Sequence, residues 1–235
     1  MAINITNEDC MELMARYEDN YFELAIVDPP YGGAGDTELE NGNRFGGIFE
    51  KYKKPAFGGN DHRFLKNETT RTGGTWAAKY DKEILSWDFA PSDEYFKELF
   101  RVSKNQIIWG GNYFGLPPNR HFLIWRKLTI SEKFTMAMCE YAWSSFNLNA
   151  KWIEIAPQNS DRFHPTQKPV KLYQWILENY AEQGNKILDT HLGSGSIAIA
   201  CDKLGYDLTA CEINKQYYDK AMQRLEEHQK QLKLF

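Results

Sequence analysis

The last third of the chain reads as strand, glycine turn, helix, strand, helix, and that order leaves few folds open. Lys186-Ile187-Leu188-Asp189 is an apolar run ending in a carboxylate, and His191-Leu192-Gly193-Ser194-Gly195 is a turn. Ile197 to Leu204 has helical spacing closed by Gly205. Asp207-Leu208-Thr209-Ala210-Cys211-Glu212 is a second strand, and Asn214 caps a last helix reaching Gln231. Neighbouring strands joined through a helix run parallel, and parallel sheets need helices on their faces. The expected fold is α/β, a doubly wound, mostly parallel, Rossmann-like sheet.

Near the other end, Glu23-Leu24-Ala25-Ile26-Val27 is an apolar strand that stops at Asp28-Pro29-Pro30-Tyr31, with Gly32-Gly33 after it. Proline has no N–H for a ladder and fixes its own φ, so pairing ends there. What is left is a bare carboxylate, rigid carbonyls and an aromatic plate, parts suited to a planar ring bearing an amine. Read alone, the same residues also make an ordinary Pro-Gly turn.

Between these ends, Asn7 or Asp9 caps a short helix carrying Met11, Leu13, Met14 and Tyr17. Ser92, Asp93 and Glu94 open a helix with Tyr95, Phe96, Leu99, Phe100 and Val102 on its apolar positions. Strands are expected at 106–109, ended by Gly110-Gly111, and at 121–125, with shorter ones at 140–143 and 151–155 paired as a hairpin. Pro169 suits the first turn of a helix running to about Ala181. From Gly32 to about Asp81 periodicity vanishes, and a stretch so long is more often functional than ornamental. From Gly32 to Lys82 there are nine Lys/Arg against seven Asp/Glu, in a chain whose formal net charge is −4. We expect one domain over residues 1–235, with a target-recognition excursion at about 32–82.

Composition is that of an ordinary soluble globular protein. No apolar run spans a membrane, and Met1-Ala2-Ile3-Asn4 does not open a secretory signal, so the expectation is cytoplasmic with no membrane partner. Cys10, Cys139, Cys201 and Cys211 have neither Cys-x-x-Cys spacing nor histidines at ligand spacing, which points to reduced cysteines and no metal. The Asp189-x-x-x-Gly193-x-Gly195 turn lies between strand and helix, and Glu212 closes the next strand. Together they suit a nucleoside-type cofactor, the acid accepting from ribose hydroxyls. Ala198 stands where the dinucleotide pattern has its third glycine, which does not by itself exclude NAD.

Asp28-Pro29-Pro30-Tyr31 combined with the Asp189–Gly195 loop resembles the S-adenosylmethionine-dependent amino-methyltransferases of DNA. The catalytic motif comes first and the cofactor loop last, preceded by His164-Pro165-Thr166-Gln167-Lys168-Pro169. That circularly permuted order is similar to the β-group of adenine-N6 and cytosine-N4 enzymes, over residues 3–31, 85–145 and 160–225. The resemblance implies that Asp28 and the Pro29 carbonyl accept the amine's two N–H bonds, Pro30 holds the turn, Tyr31 stacks on a flipped base, and Asp28 stays ionised. It implies a cofactor site of Asp9, Cys10, Asp28, His164, Thr166, Gln167, Lys168, Pro169, Asp189, Thr190, His191, Gly193, Ser194, Gly195, Glu212, Ile213 and Asn214. Asp9 reads equally as a helix cap, and Lys168 as a solvated helix start. The sulfonium is already a good leaving group, so no metal is called for. Double-stranded DNA is the implied partner, with Arg44, Lys53, Lys54, Arg63 and Arg71 as weak candidates for contacting it, restriction–modification the implied setting, and homodimers common among relatives.

This chain departs from the family in two ways. Thr190 and His191 replace the usual Pro-Phe of the cofactor loop, and the large specificity region before the Lys-Pro motif is nearly absent. Target recognition then falls to 32–82 or to a partner. Asp28 favours adenine-N6, since Ser-Pro-Pro-Tyr is commoner for cytosine-N4. The other readings are the cytosine-N4 enzyme, a glutamine or RNA methyltransferase, and a degenerate DNA-binding module.

Overall fold

The computed structural model describes residues 1–31, 89–131, 137–157 and 162–231. The 32–82 excursion with Arg44, Lys53, Lys54, Arg63 and Arg71 lies outside the described residues. Eight strands lie among the described residues, β1 (Ile3–Thr6), β2 (Phe22–Val27), β3 (Ser103–Trp109), β4 (Phe122–Lys127), β5 (Cys139–Ser144), β6 (Lys151–Ile155), β7 (Lys186–Asp189) and β8 (Asp207–Cys211). The helices are α1 (Cys10–Met14), α2 (Asp93–Val102), α3 (Val170–Tyr180), α4 (Ser196–Leu204) and α5 (Lys215–Lys230). One sheet joins the strands in the order β1-β8-β7-β2-β3-β5-β4-β6. β5 alone runs against its neighbours β3 and β4; the other pairings are parallel. The expected doubly wound, mostly parallel sheet is what forms.

β2 explains why its apolar run is unbroken. Leu24 and Ile26 enter a core with Ile176, Ile187 and Ile197, on the side carrying α3, α4 and part of α5. Ala25 and Val27 enter a second core with Leu13, Tyr95, Leu99 and Val102, on the side of α1 and α2. Successive side chains of a strand point to opposite faces, so a strand covered on both sides is apolar at every position.

Several expectations are corrected or narrowed. β5 and β6 are not a hairpin, because β4 lies between them, antiparallel to β5 and parallel to β6. The chain also begins with a strand, β1, which pairs with β8 through Ile3↔Leu208 and Thr6↔Cys211. Its four residues are half buried in alternation, too short a pattern to be read from sequence. Asp9, not Asn7, caps α1, accepting from Met11 N–H at 2.7 Å. Asn7 instead donates to the Glu212 carbonyl at 2.7 Å, tying the end of β1 to the end of β8. Pro169 is the residue before the first turn of α3, not within it.

Asn214 caps α5 as expected, its side-chain oxygen accepting from Gln216 N–H at 2.9 Å and Tyr217 N–H at 3.2 Å. Loss of such a cap costs about 1 kcal/mol. Asn214→Ala should lower the urea unfolding free energy by about that amount, with the m-value unchanged.

Candidate active site

Ligands of open α/β sheets gather beyond the carboxyl ends of the strands, where chain order reverses. Here that point is between β7 and β2, since β7 leads outward to β8 and β2 outward to β3. A cavity of about 590 Å³ opens there, a size suited to a small-molecule ligand. Asp28, Pro29, Pro30 and Tyr31 line it from the end of β2, and Thr190, His191, Gly193 and Ser194 from the loop after β7. Glu212 and Ile213 enter from just after β8, Asp9 and Cys10 from the start of α1, and His164, Thr166, Gln167 and Lys168 from the segment before α3. Pro169, Asp189, Gly195 and Asn214 are not on the cavity wall. Asp189 is buried behind the loop, accepting from His191 N–H at 3.0 Å.

The Asp28 carboxylate is held from two sides. The Tyr31 hydroxyl donates to Oδ1 at 2.8 Å, and the Lys168 ammonium bonds Oδ2. Lys168 also reaches Glu140 Oε2 at 3.2 Å, and Glu140 Oε1 meets Lys127 at 2.7 Å. Lys168 is therefore not a solvated helix start; only 2% of its side chain is exposed. Burial pushes Asp28 above its ordinary value, with the Lys168 charge pulling against it. Burial alone would lower Lys168, but Asp28 and Glu140 outweigh it and raise it. For Glu140, burial is outweighed by the Lys168 and Lys127 charges, and its carboxyl is lowered. The ionised state expected of Asp28 thus depends on its lysine.

The plate beside Asp28 is also built. Tyr31 stacks on Tyr113 with ring centres 4.8 Å apart and planes 21° from parallel. A Cβ at Gly110 would enter the Tyr31 ring, and Gly110 has φ +66° besides. Only glycine meets both demands cheaply.

On the cofactor side, both oxygens of Glu212 accept backbone N–H bonds, from Gly193 at 2.8 Å and Asn214 at 2.9 Å. Gly193 has φ +53°, and the His164 ring sits 3.4 Å from where its Cβ would be. Burial keeps both nearby imidazoles neutral, lowering His164 to about 3 and His191 to about 4. Gln167 is 2% exposed and its Nε2 has no hydrogen-bond partner among the described residues, leaving a donor at the cavity wall. These groups fit a ligand rich in acceptors and hydroxyls, as S-adenosylmethionine is.

Sequence reasoning missed Glu140, which it read only as part of a strand, and Tyr95, which it read as helix core. The Tyr95 hydroxyl lies 2.7 Å from Thr190 Oγ1, which lies 2.9 Å from His191 Nδ1. The Tyr95 ring meets the His191 ring edge-on at 5.3 Å. Thr190 and His191, the departures from the family loop, are thus held by a partner on α2. Phe89, Tyr173 and Tyr217 also line the cavity without a sequence signal. No group of three or more metal-ligating side chains occurs among the described residues, and no helix among them is long and apolar enough to cross a membrane.

Fold and crevice together define a Rossmann-like α/β protein with a small-molecule site at the carboxyl ends of its strands. The sequence profile of the N6/N4 methyltransferase family, described as DNA methylase, matches residues 48–223. The type II methyltransferase M2.DpnII of Streptococcus pneumoniae is 22% identical over 245 residues, covering 94% of this chain and 89% of its own. The M1.HpyAVI–SAM complex superposes with a TM-score of 0.54 at 15% identity, over 95% of this chain and 98% of that one. The PvuII DNA methyltransferase, which is cytosine-N4-specific, gives 0.58 at 12% identity, over 97% and 90%. The chain belongs to the N6/N4 DNA methylase family, and is an S-adenosylmethionine-dependent DNA methyltransferase. The matched span begins inside the 32–82 segment and after Asp28–Tyr31, so the segment is less foreign to the family than its sequence suggested.

Asp189 yields a test in the free protein. Burial, with Asp28 and Glu212 adding to it, raises its carboxyl from 3.8 to about 8, against the pull of the His191 N–H. Between those values the folded protein holds a proton that the unfolded chain has released, so this group's contribution to stability falls as pH rises from about 4 to about 8. Asp189→Asn removes that slope. Thermal melts across pH should show the variant less pH-dependent than the wild type, and more stable than it above pH 8.

Proposed function

We propose that the protein transfers the methyl group of S-adenosylmethionine to the N6 amine of an adenine flipped out of double-stranded DNA. The observation that carries this reading is a carboxylate, Asp28, beside an aromatic plate, Tyr31, on the same cavity as Glu212 and the Gly193 loop. An exocyclic amine is a poor nucleophile because its lone pair is delocalised into the ring. Asp28 and the Pro29 carbonyl accept its two N–H bonds and favour the pyramidal nitrogen, a gain from fixed acceptors rather than from added reactivity. Pro30 fixes the turn that aims that carbonyl. Tyr31 offers its face to the base, offsetting stacking lost when the base leaves the duplex.

The cofactor, when bound, supplies a methyl group on a positively charged sulfur. Glu212 would receive the ribose hydroxyls, Asp9, Cys10 and Ile213 the adenine, and Gln167 with Thr166 the methionine end. Target recognition is assigned to segment 32–82, its Arg44, Lys53, Lys54, Arg63 and Arg71 serving the phosphates. The carboxylate at position 28, where serine is commoner for cytosine-N4 enzymes, supports adenine.

Labelled S-adenosylmethionine and mixed genomic DNA, digested to nucleosides after reaction, should give label in N6-methyladenine. Label in N4-methylcytosine would overturn the adenine reading. Asp28→Ala should lower transfer about a hundred- to a thousandfold with the fold intact by circular dichroism. Gly110→Ala should lower transfer too, by displacing Tyr31, while leaving cofactor affinity in place.

A further inference from the structure

The two oxygens of Asp28 are committed twice. In the free protein Oδ1 takes the Tyr31 hydroxyl and Oδ2 the Lys168 ammonium, yet a target amine must donate to the same carboxylate. Full departure of the ammonium would strand a buried charge, which is strongly unfavourable. A second carboxylate lies within reach. Glu140 Oε2 is 3.2 Å from Lys168 Nζ, and Glu140 itself is anchored through Oε1 to Lys127 at 2.7 Å. The Trp109 ring centre lies 5.1 Å from the ammonium and offers a π face along the way.

We propose that Glu140 is a positioning residue, the second seat to which the Lys168 ammonium moves when the target amine takes Asp28. The proposal rests on Asp28 being the amine acceptor. Lys168 holds Asp28 ionised while the site is empty, and Glu140 receives Lys168 when the site fills. Lys127 keeps Glu140 from turning into the cavity, so the ammonium has one place to go. The move exchanges the Lys168–Asp28 hydrogen bond for a closer one to Glu140, with no covalent bond broken and no proton transferred.

Asp28 is faced by Lys168 from the segment before α3, Glu140 from β5, Tyr31 from its own loop, Tyr173 from α3 and Asp189 from β7. Of these, Glu140 raises the Asp28 carboxyl and Lys168 lowers it. Removing either should therefore move the acid limb of the pH–rate profile in opposite directions, which a purely structural role for the pair would not do.

The experiment compares Glu140→Gln, Glu140→Asp and Lys168→Met with the wild type, using labelled S-adenosylmethionine and unmethylated genomic DNA and counting total methyl transfer. Glu140→Gln leaves Lys168 with Asp28 alone. It should lower kcat/KM for DNA by roughly a hundredfold, move the acid limb to lower pH, and leave S-adenosylmethionine affinity by calorimetry unchanged. Lys168→Met should move the acid limb to higher pH, and Glu140→Asp should recover part of the loss. Wild-type kcat/KM in Glu140→Gln, a parallel loss of cofactor affinity, or limbs moving the same way would each overturn the proposal. Counting total transfer makes the outcome independent of which base is methylated. A 13C titration of the Asp28 carboxyl in free wild-type and Glu140→Gln protein needs no turnover. Its midpoint should fall in the variant, and an unmoved midpoint would overturn the proposal whatever the activity.

Discussion

The buried ion cluster at the end of β2 is what the candidate site depends on. Asp28, Lys168, Glu140 and Lys127 alternate in sign and sum to neutrality, and each acid touches a base. A lone buried carboxylate would take up a proton; a paired one keeps its charge and its lone pairs. The cluster draws its members from β2, β4, β5 and the turn before α3. Four separate stretches must pack correctly before the Asp28 carboxylate has its partners. The antiparallel strand β5 belongs to that requirement, since it carries Glu140 to the carboxylate.

The part of the cavity around Glu212 and the Gly193 loop is built on a different principle. Its groups are mostly neutral or bonded to backbone. Glu212 spends both oxygens on N–H groups, Asp189 spends one on His191, and the two imidazoles are held uncharged by burial. Such a wall is rigid and weakly charged. The Tyr95–Thr190–His191 chain extends the pattern, replacing an apolar loop packing with hydrogen bonds of 2.7 and 2.9 Å.

The parallel sheet was legible because β7-α4-β8-α5 alternates periods of two and 3.6 within short, well-punctuated segments. The wall of the cavity was legible because its residues cluster in three motifs at strand ends. Glu140 was not, since an acid in a strand pattern carries no mark of which lysine it will meet. The spatial partners of β4, β5 and β6 were not either, because adjacency in a sheet depends on crossovers that local periodicity does not encode. The short β1 failed for lack of length. Lys168 was placed beside the cofactor, yet its strongest contacts are with acids far away in sequence.

β2 and β7 are neighbours in space, but Glu23 and Lys186, bonded across them, are 163 positions apart in the chain. Loop closure over such a distance comes late in folding, after local helices and near strands have formed. During synthesis Asp28-Pro29-Pro30-Tyr31 leaves the ribosome long before the Gly193 loop exists. A nascent chain therefore exposes an open strand edge beside the Asp28 carboxylate, with nothing yet to cover it. A truncated product ending anywhere before β7 would carry Asp28-Pro29-Pro30-Tyr31 without the Gly193 loop that shares its cavity. The permuted order makes the cavity an all-or-nothing object, assembled when the last strands arrive.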